Sequence, residues 1–166
     1  MSEVCHDIHK LVKDATTKKH LPLTIGGDHS LAMGTISGSA AMYGAALGVI
    51  WVDAHADINT LECTTSGNLH GCPVSFLAGL NGNPTGFEWL KKCLSLDRVV
   101  YIGLRDVDPA EKKLLKEHNI KAYSMSDVDR YGIGKIMEMT LAYLGQCPLH
   151  ITFDVDSLGT FCFYYL

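Results

Sequence analysis

Leu47-Gly48-Val49-Ile50-Trp51-Val52-Asp53-Ala54-His55-Ala56-Asp57 decides the fold of this chain. The first six residues form an apolar, β-branched run with no polar alternation, the pattern of a strand buried on both faces of a parallel sheet. The last five carry three ligand-type side chains at alternate positions. Residues i, i+2 and i+4 of an extended chain share one face, so Asp53, His55 and Asp57 are predicted to project together. A solvated strand end is the competing reading, and it accounts poorly for three such residues directly behind the apolar run.

Two further stretches repeat the arrangement. Leu21 to Ile25 leads into Gly26-Gly27-Asp28-His29-Ser30, and His150 to Val155 delivers Asp154 and Asp156. Both runs are predicted as buried strands. In an open parallel α/β sheet the carboxyl ends of the strands line one edge, so clusters remote in sequence are expected to meet there. Alone, His29 reads as an exposed turn histidine and the Asp154/Asp156 pair equally as ligands or as a solvated turn; the recurrence argues for one site.

Electrostatics says what that site holds. Asp53, Asp57, Asp154 and Asp156 brought together without counter-ions would raise one another's pKa, and no Lys or Arg stands within or directly beside these clusters. Two divalent cations balance the four carboxylates in formal charge, with His29 and His55 as neutral imidazole donors. Such a donor set suits Mn²⁺ or Mg²⁺, with Zn²⁺, Co²⁺ and Fe²⁺ also open on affinity alone; Mn²⁺ is the expectation.

The chain has 166 residues, 47% of them hydrophobic and 19% charged, enough for one core-bearing domain. A formal charge of −4 argues against a general nucleic-acid or anionic-membrane binder, so the expected ligand is a small molecule. Cys5, Cys63, Cys72, Cys93, Cys147 and Cys162 form no CxxC pair. A disulfide framework is not expected, and the reading is a cytoplasmic protein, with a mitochondrial setting open to a full-length form. Gly44 and Gly48 interrupt the apolar stretch from Ala40 to Val52, which is therefore no membrane span.

Periodicity predicts helices over about 3–18, 30–42, 69–80, 87–94, 109–117 and 126–144, and strands over 21–25, 46–52, 98–104, 121–124 and 150–155. Strand alternating with helix implies an α/β fold: a three-layer α/β/α arrangement with a mostly parallel sheet. Residues 59–68 form a polar loop at a strand end, where sites are built. His70, just beyond it, is either a proton carrier near neutral pH or a helix-start histidine. Asp108 and Pro109 suit an N-cap and first helical residue, and Glu111 suits a capping box. After Ser157 the sequence turns into an aromatic tail, so residues 1–157 read as one partial domain and 158–166 as a divergent end.

Taken together, Leu23-Thr24-Ile25-Gly26-Gly27-Asp28-His29-Ser30, Trp51-Val52-Asp53-Ala54-His55-Ala56-Asp57-Ile58-Asn59-Thr60, Thr65-Ser66-Gly67-Asn68-Leu69-His70-Gly71 and Thr152-Phe153-Asp154-Val155-Asp156 resemble the arginase family of manganese ureohydrolases. The resemblance extends through residues 102–109 and 127–135. It implies an arginase-like fold that is incomplete at both ends here, since the family has an opening βα segment before these motifs and more sequence after them.

The resemblance also implies two Mn²⁺ per subunit. His29, Asp53, Asp57 and Asp154 would hold one ion and Asp53, His55, Asp154 and Asp156 the other, with a shared hydroxide attacking the guanidinium carbon of L-arginine to give L-ornithine and urea. By the same resemblance Asp57 relays a proton and His70 exchanges protons with solvent. Asn59, Thr64, Ser66 and Asn68 receive the substrate carboxylate, Asp108 and Glu111 face its ammonium, and Asp28 orients a ligand. Polar partners for both groups favour arginine over agmatine. The alternatives are an agmatinase-like ureohydrolase, or a truncated homologue that binds metal or a partner without turnover. The family suggests a homotrimer for the full-length form.

Overall fold

The computed structural model describes residues 1–159, so the expectation that Phe161, Phe163, Tyr164 and Tyr165 drive association lies outside the described residues. Two compact units emerge: Met1–Leu47 with Asp57–Leu96, and Gly48–Ala56 with Asp97 onward.

The second unit contains the sheet. Strands β1 (Gly48–Val52), β2 (Val99–Leu104), β3 (Lys121–Ser124) and β4 (Leu149–Phe153) lie in the order β3-β2-β1-β4. Every pairing is parallel, with Trp51 opposite Tyr101 on one side and Thr152 on the other. β2 is buried along its whole length and β1 in all but its last residue, as their unbroken apolar runs require. Ile50, Val100, Ile102, Tyr123, Ile136 and Leu144 form the core of this unit. Gly103 interrupts the β2/β3 register at a φ of +97°, and a Cβ there would lie 3.3 Å from the carbonyl oxygen of Asp53. Glycine at this point lets β2 come close to the turn that carries Asp53.

Helices α4 (Pro109–Glu117), α5 (Met125–Tyr131) and α6 (Ile133–Leu144) belong to the same unit. The predicted helix over 126–144 is two helices, because Gly132 at φ +77° ends α5 and starts α6 in a new direction. β4 is a strand but not a buried one: Ile151 is 59% and Phe153 55% exposed, since β4 is the last strand on its side of the described sheet.

In the first unit, α1 (Ser2–Thr17) packs along α2 (Ala32–Tyr43). Gly34 and Gly38, one turn apart, allow this: a Cβ on Gly38 would sit 2.8 Å from the carbonyl oxygen of His9 and 2.8 Å from Val12 Cβ. The face of α1 that is buried carries Cys5, Val12 and Thr16, whereas Val4 and Leu11 of the predicted apolar stripe face solvent.

Three predicted elements of this unit differ. Leu21–Ile25 forms no ladder among the described residues, and Leu21, Leu23 and Ile25 are 93%, 83% and 89% exposed; the run has strand composition but no neighbouring strand to pair with. The helix expected over 69–80 is a short turn followed by α3 (Pro73–Leu77). Residues 87–94 are not helical, because Gly82 and Gly86 at positive φ shape the approach and the N–H groups of Cys93 and Leu94 bond the Leu77 carbonyl. No described helix is long and apolar enough to cross a membrane.

Candidate functional site

The chain leaves β1 as a turn and not as an extended strand, which corrects the same-face argument for Asp53, His55 and Asp57. Asp53 Oδ1 accepts the His55 backbone N–H at 2.8 Å, a local loop of the kind Asp side chains favour. Trp51 Nε1 donates to Asp53 Oδ2 at 3.0 Å, and Asp53 is 1% exposed. Tyr101, opposite Trp51 on β2, donates its hydroxyl to the carbonyl of Ala56 at 2.7 Å. Asp57 follows at a φ of +48°, a left-handed conformation that turns the chain sharply away from strand geometry.

β4 ends in the same manner. Asp154 caps a short 3₁₀ turn over Val155–Leu158, its Oδ1 accepting the Asp156 N–H at 3.0 Å. The i, i+2 reading of this pair is corrected likewise: a capped turn, and not strand pleat, sets the two carboxyl groups. Because β4 is the parallel neighbour of β1, the two turns leave the same end of the sheet. Asp156 Oδ1 accepts the Ala54 N–H at 3.2 Å, and His55 Nδ1 lies 3.1 Å from Asp156 Oδ2 and 3.4 Å from Asp53 Oδ1. Donor atoms of Asp53, His55 and Asp156 all fall within 4.8 Å of one another. One imidazole nitrogen and two carboxylates at that spacing fit a single divalent cation.

Burial holds the Asp156 carboxyl above its ordinary range, and the carboxylates of Asp53 and Asp154 add to the effect; the Ala54 N–H and His55 act in the opposite sense. Burial is the larger cause, and the neighbouring carboxylates contribute less. A bound cation would reverse the shift.

In the first unit, His29 opens a short 3₁₀ turn capped by Asp28, whose Oδ1 accepts the Ser30 N–H at 3.0 Å. Hydrogen bonding from the Ser30 hydroxyl, more than any other influence, keeps the Asp28 carboxyl below its usual range. His29 Nδ1 lies 3.1 Å from Asp57 Oδ2, with both side chains largely covered. Half-exposed His70 has its Nδ1 4.0 Å from Asp28 Oδ2.

The polar loop also belongs to this unit. Asn59 is buried and its carbonyl accepts from Ser75 Oγ at 2.7 Å, while Thr64 Oγ1 and Ser66 Oγ accept loop N–H groups of Gly67 and Asn68. Ser66 and Asn68 are exposed. In the second unit Asp108 and Glu111 stand at the start of α4. Glu111 is 3% exposed, and its Oε2 accepts the Asp108 N–H at 3.0 Å, so the capping box foreseen from sequence is present.

Four residues escaped the sequence reading. Arg105 donates to the carbonyls of Asp156 and Ser157, so a cation does stand beside the second acidic turn, brought from the end of β2. Asp106 Oδ2 lies 3.7 Å from His55 Nε2, where it can orient the ring. Trp51 and Tyr101 stand in the sequence as strand residues. Their signal is position, Trp51 one residue and Tyr101 three residues short of a strand's carboxyl end.

The Arginase family model matches residues 1–162. Arginase-1 of Homo sapiens is 56% identical over 155 residues, covering 88% of this chain and 48% of the human protein. The crystal structure of a cold-adapted arginase from the psychrophilic yeast Glaciozyma antarctica aligns with a TM-score of 0.87 at 55% identity, over 93% of this chain and 57% of that one. An Entamoeba histolytica arginase solved in complex with L-ornithine aligns with a TM-score of 0.86 at 31% identity, over 93% of this chain and 54% of that one. The chain thus spans about half the length of the curated relatives it matches. With this fold, these acidic turns and these relatives, the chain belongs to the arginase family.

Proposed function

We propose that this chain carries the metal-binding part of a manganese-dependent arginase, which hydrolyses L-arginine to L-ornithine and urea. The observation that carries the reading is the convergence of Asp53, His55 and Asp156 donor atoms at one end of β1 and β4. In this reading His29, Asp53, Asp57 and Asp154 hold one Mn²⁺, and Asp53, His55, Asp154 and Asp156 the other. When bound, the ions lower the pKa of a water molecule so that hydrolysis runs at neutral pH.

The remaining work falls to side chains. Asp57 accepts and passes on a proton, and its cover from solvent keeps that proton from leaking away. His70, half-exposed and beside Asp28, exchanges protons with bulk water. Asn59, Thr64, Ser66 and Asn68 orient the substrate carboxylate. Of the two acids assigned to the ammonium, Asp108 is the exposed one, whereas Glu111 is enclosed in the cap of α4. A site with polar partners for both groups leaves them unmatched when the substrate lacks a carboxylate, which favours arginine over agmatine. A homotrimer and a cytoplasmic setting belong to the same reading for a full-length form.

That the chain spans about half of its curated relatives favours one second reading, metal binding without turnover. Metal analysis of the Mn²⁺-loaded protein beside urea assays on arginine and agmatine separates the two. Urea from arginine supports the first reading; two ions without urea support the second; a preference for agmatine overturns the substrate assignment.

A further inference from the structure

We infer that Trp51 and Tyr101 are positioning residues that hold the turn from Asp53 to Ala56 in its ligand-bearing shape; this rests on the metal reading above. The two rings face each other from paired positions on β1 and β2, 6.2 Å apart and tilted by 56°, and both are fully buried. Each directs its one polar atom at the same turn. The indole N–H reaches Asp53 Oδ2 at the start and the phenol hydroxyl reaches the Ala56 carbonyl at the end, at 3.0 and 2.7 Å.

The two contacts have separate consequences. With His55 N–H on Oδ1 and the indole on Oδ2, the Asp53 carboxylate is fixed in rotation about its own axis, while each oxygen keeps lone-pair directions for a cation. At the other end, the phenol fixes the peptide that leads into Asp57, whose φ of +48° is one an L-residue seldom adopts. An aromatic pair packed into the sheet is rigid, so it transfers the sheet's order to the turn. Outer groups that orient ligands in this way commonly change metal affinity about 10–100-fold when removed.

The test uses the whole chain, with Trp51→Phe and Tyr101→Phe as variants and Ile136→Val, in the core away from the turn, as a control for lost stability. Free Mn²⁺ is followed by electron paramagnetic resonance during titration, and thermal unfolding is recorded without metal. The expected result is Mn²⁺ affinity weakened about tenfold or more in both variants, with the control at wild-type affinity despite a lower Tm. Wild-type affinity in either variant, or an equal loss in Ile136→Val, overturns the inference while leaving the metal reading intact. Should Trp51→Phe fail to fold, Tyr101→Phe, which removes a single oxygen, decides the matter. A wild-type chain that takes up no Mn²⁺ sinks the metal reading itself, and this inference with it.

Discussion

His55 Nδ1 stands 3.1 Å from Asp156 Oδ2, although the two residues come from opposite halves of the sequence. Parallel pairing of β1 with β4 makes the contact, because it delivers both turns to one end of the sheet. Without a cation the same closeness gathers Asp53, Asp154 and Asp156, and burial first, with these like charges second, holds the Asp156 carboxyl above its ordinary range.

Neutralising that acid therefore has opposite effects with and without metal. Asp156→Asn raises the thermal midpoint of the metal-free chain, since burial and like charge already disfavour the carboxylate. The same change weakens Mn²⁺ binding by at least about tenfold, because a donor is lost. Scanning calorimetry in chelator, set beside an Mn²⁺ titration, checks both signs; a lower midpoint in chelator contradicts the crowding argument.

Acid sensitivity has a separate source in His150. Burial depresses its pKa from the ordinary 6.5 to about 4. The unfolded chain takes up a proton there that the folded chain refuses, so stability is complete above about pH 6.5 and falls as the pH drops toward about 4. His150→Gln flattens this slope. Denaturant unfolding in chelator across that window measures it, and an unchanged slope in the variant removes His150 from the account.

The α1/α2 contact depends on absent side chains. An alanine methyl at Gly34 would meet the Cys5 carbonyl and lie 2.9 Å from Ile8 Cβ, neither of which is a flexible side-chain end. Gly34→Ala is expected to cost about 1–3 kcal/mol, overriding alanine's better helix propensity. Gly134→Ala, with nothing within 4 Å in α6, serves as the contrast and should be neutral or stabilising. Equilibrium unfolding of the pair gives the answer.

Glu111 separates a cap from a substrate contact. Its carboxylate accepts the Asp108 N–H, so Glu111→Ala should lose about 1 kcal/mol of stability while Glu111→Gln, which keeps an acceptor, stays near wild type. Urea release from arginine by the Gln variant then reports on charge alone.

Much of the fold was legible because its signals are local. The apolar runs of β1 and β2 carry their own burial, Asp108-Pro109 and Glu111 announce a helix start, and the strand–helix alternation dictates parallel pairing. Leu21–Ile25 misled for the opposite reason: strand composition describes what a segment would do beside a neighbour, and it is silent on whether one is there. Gly132 is not legible as a break, because a glycine inside a long periodic run is tolerated in a helix and only its positive φ shows the interruption.

For the site, residue types and their order nominate six candidate metal donors, of which Asp53, His55 and Asp156 bring donor atoms within 4.8 Å of one another. Their geometry is not legible in the sequence. The expected pleat alternation gives way to two capped turns, in which Asp53 and Asp154 bond the backbone two residues on. Arg105, Asp106 and Tyr101 are placed only by the tertiary structure, since each acts on a partner remote in sequence. Trp51, although it reaches Asp53 only two residues on, does so through a turn that the strand pattern does not announce. Donor chemistry is a property of side chains and can be read one residue at a time. Donor placement depends on strand order and register, which arise only when distant segments compete for the same neighbours in space.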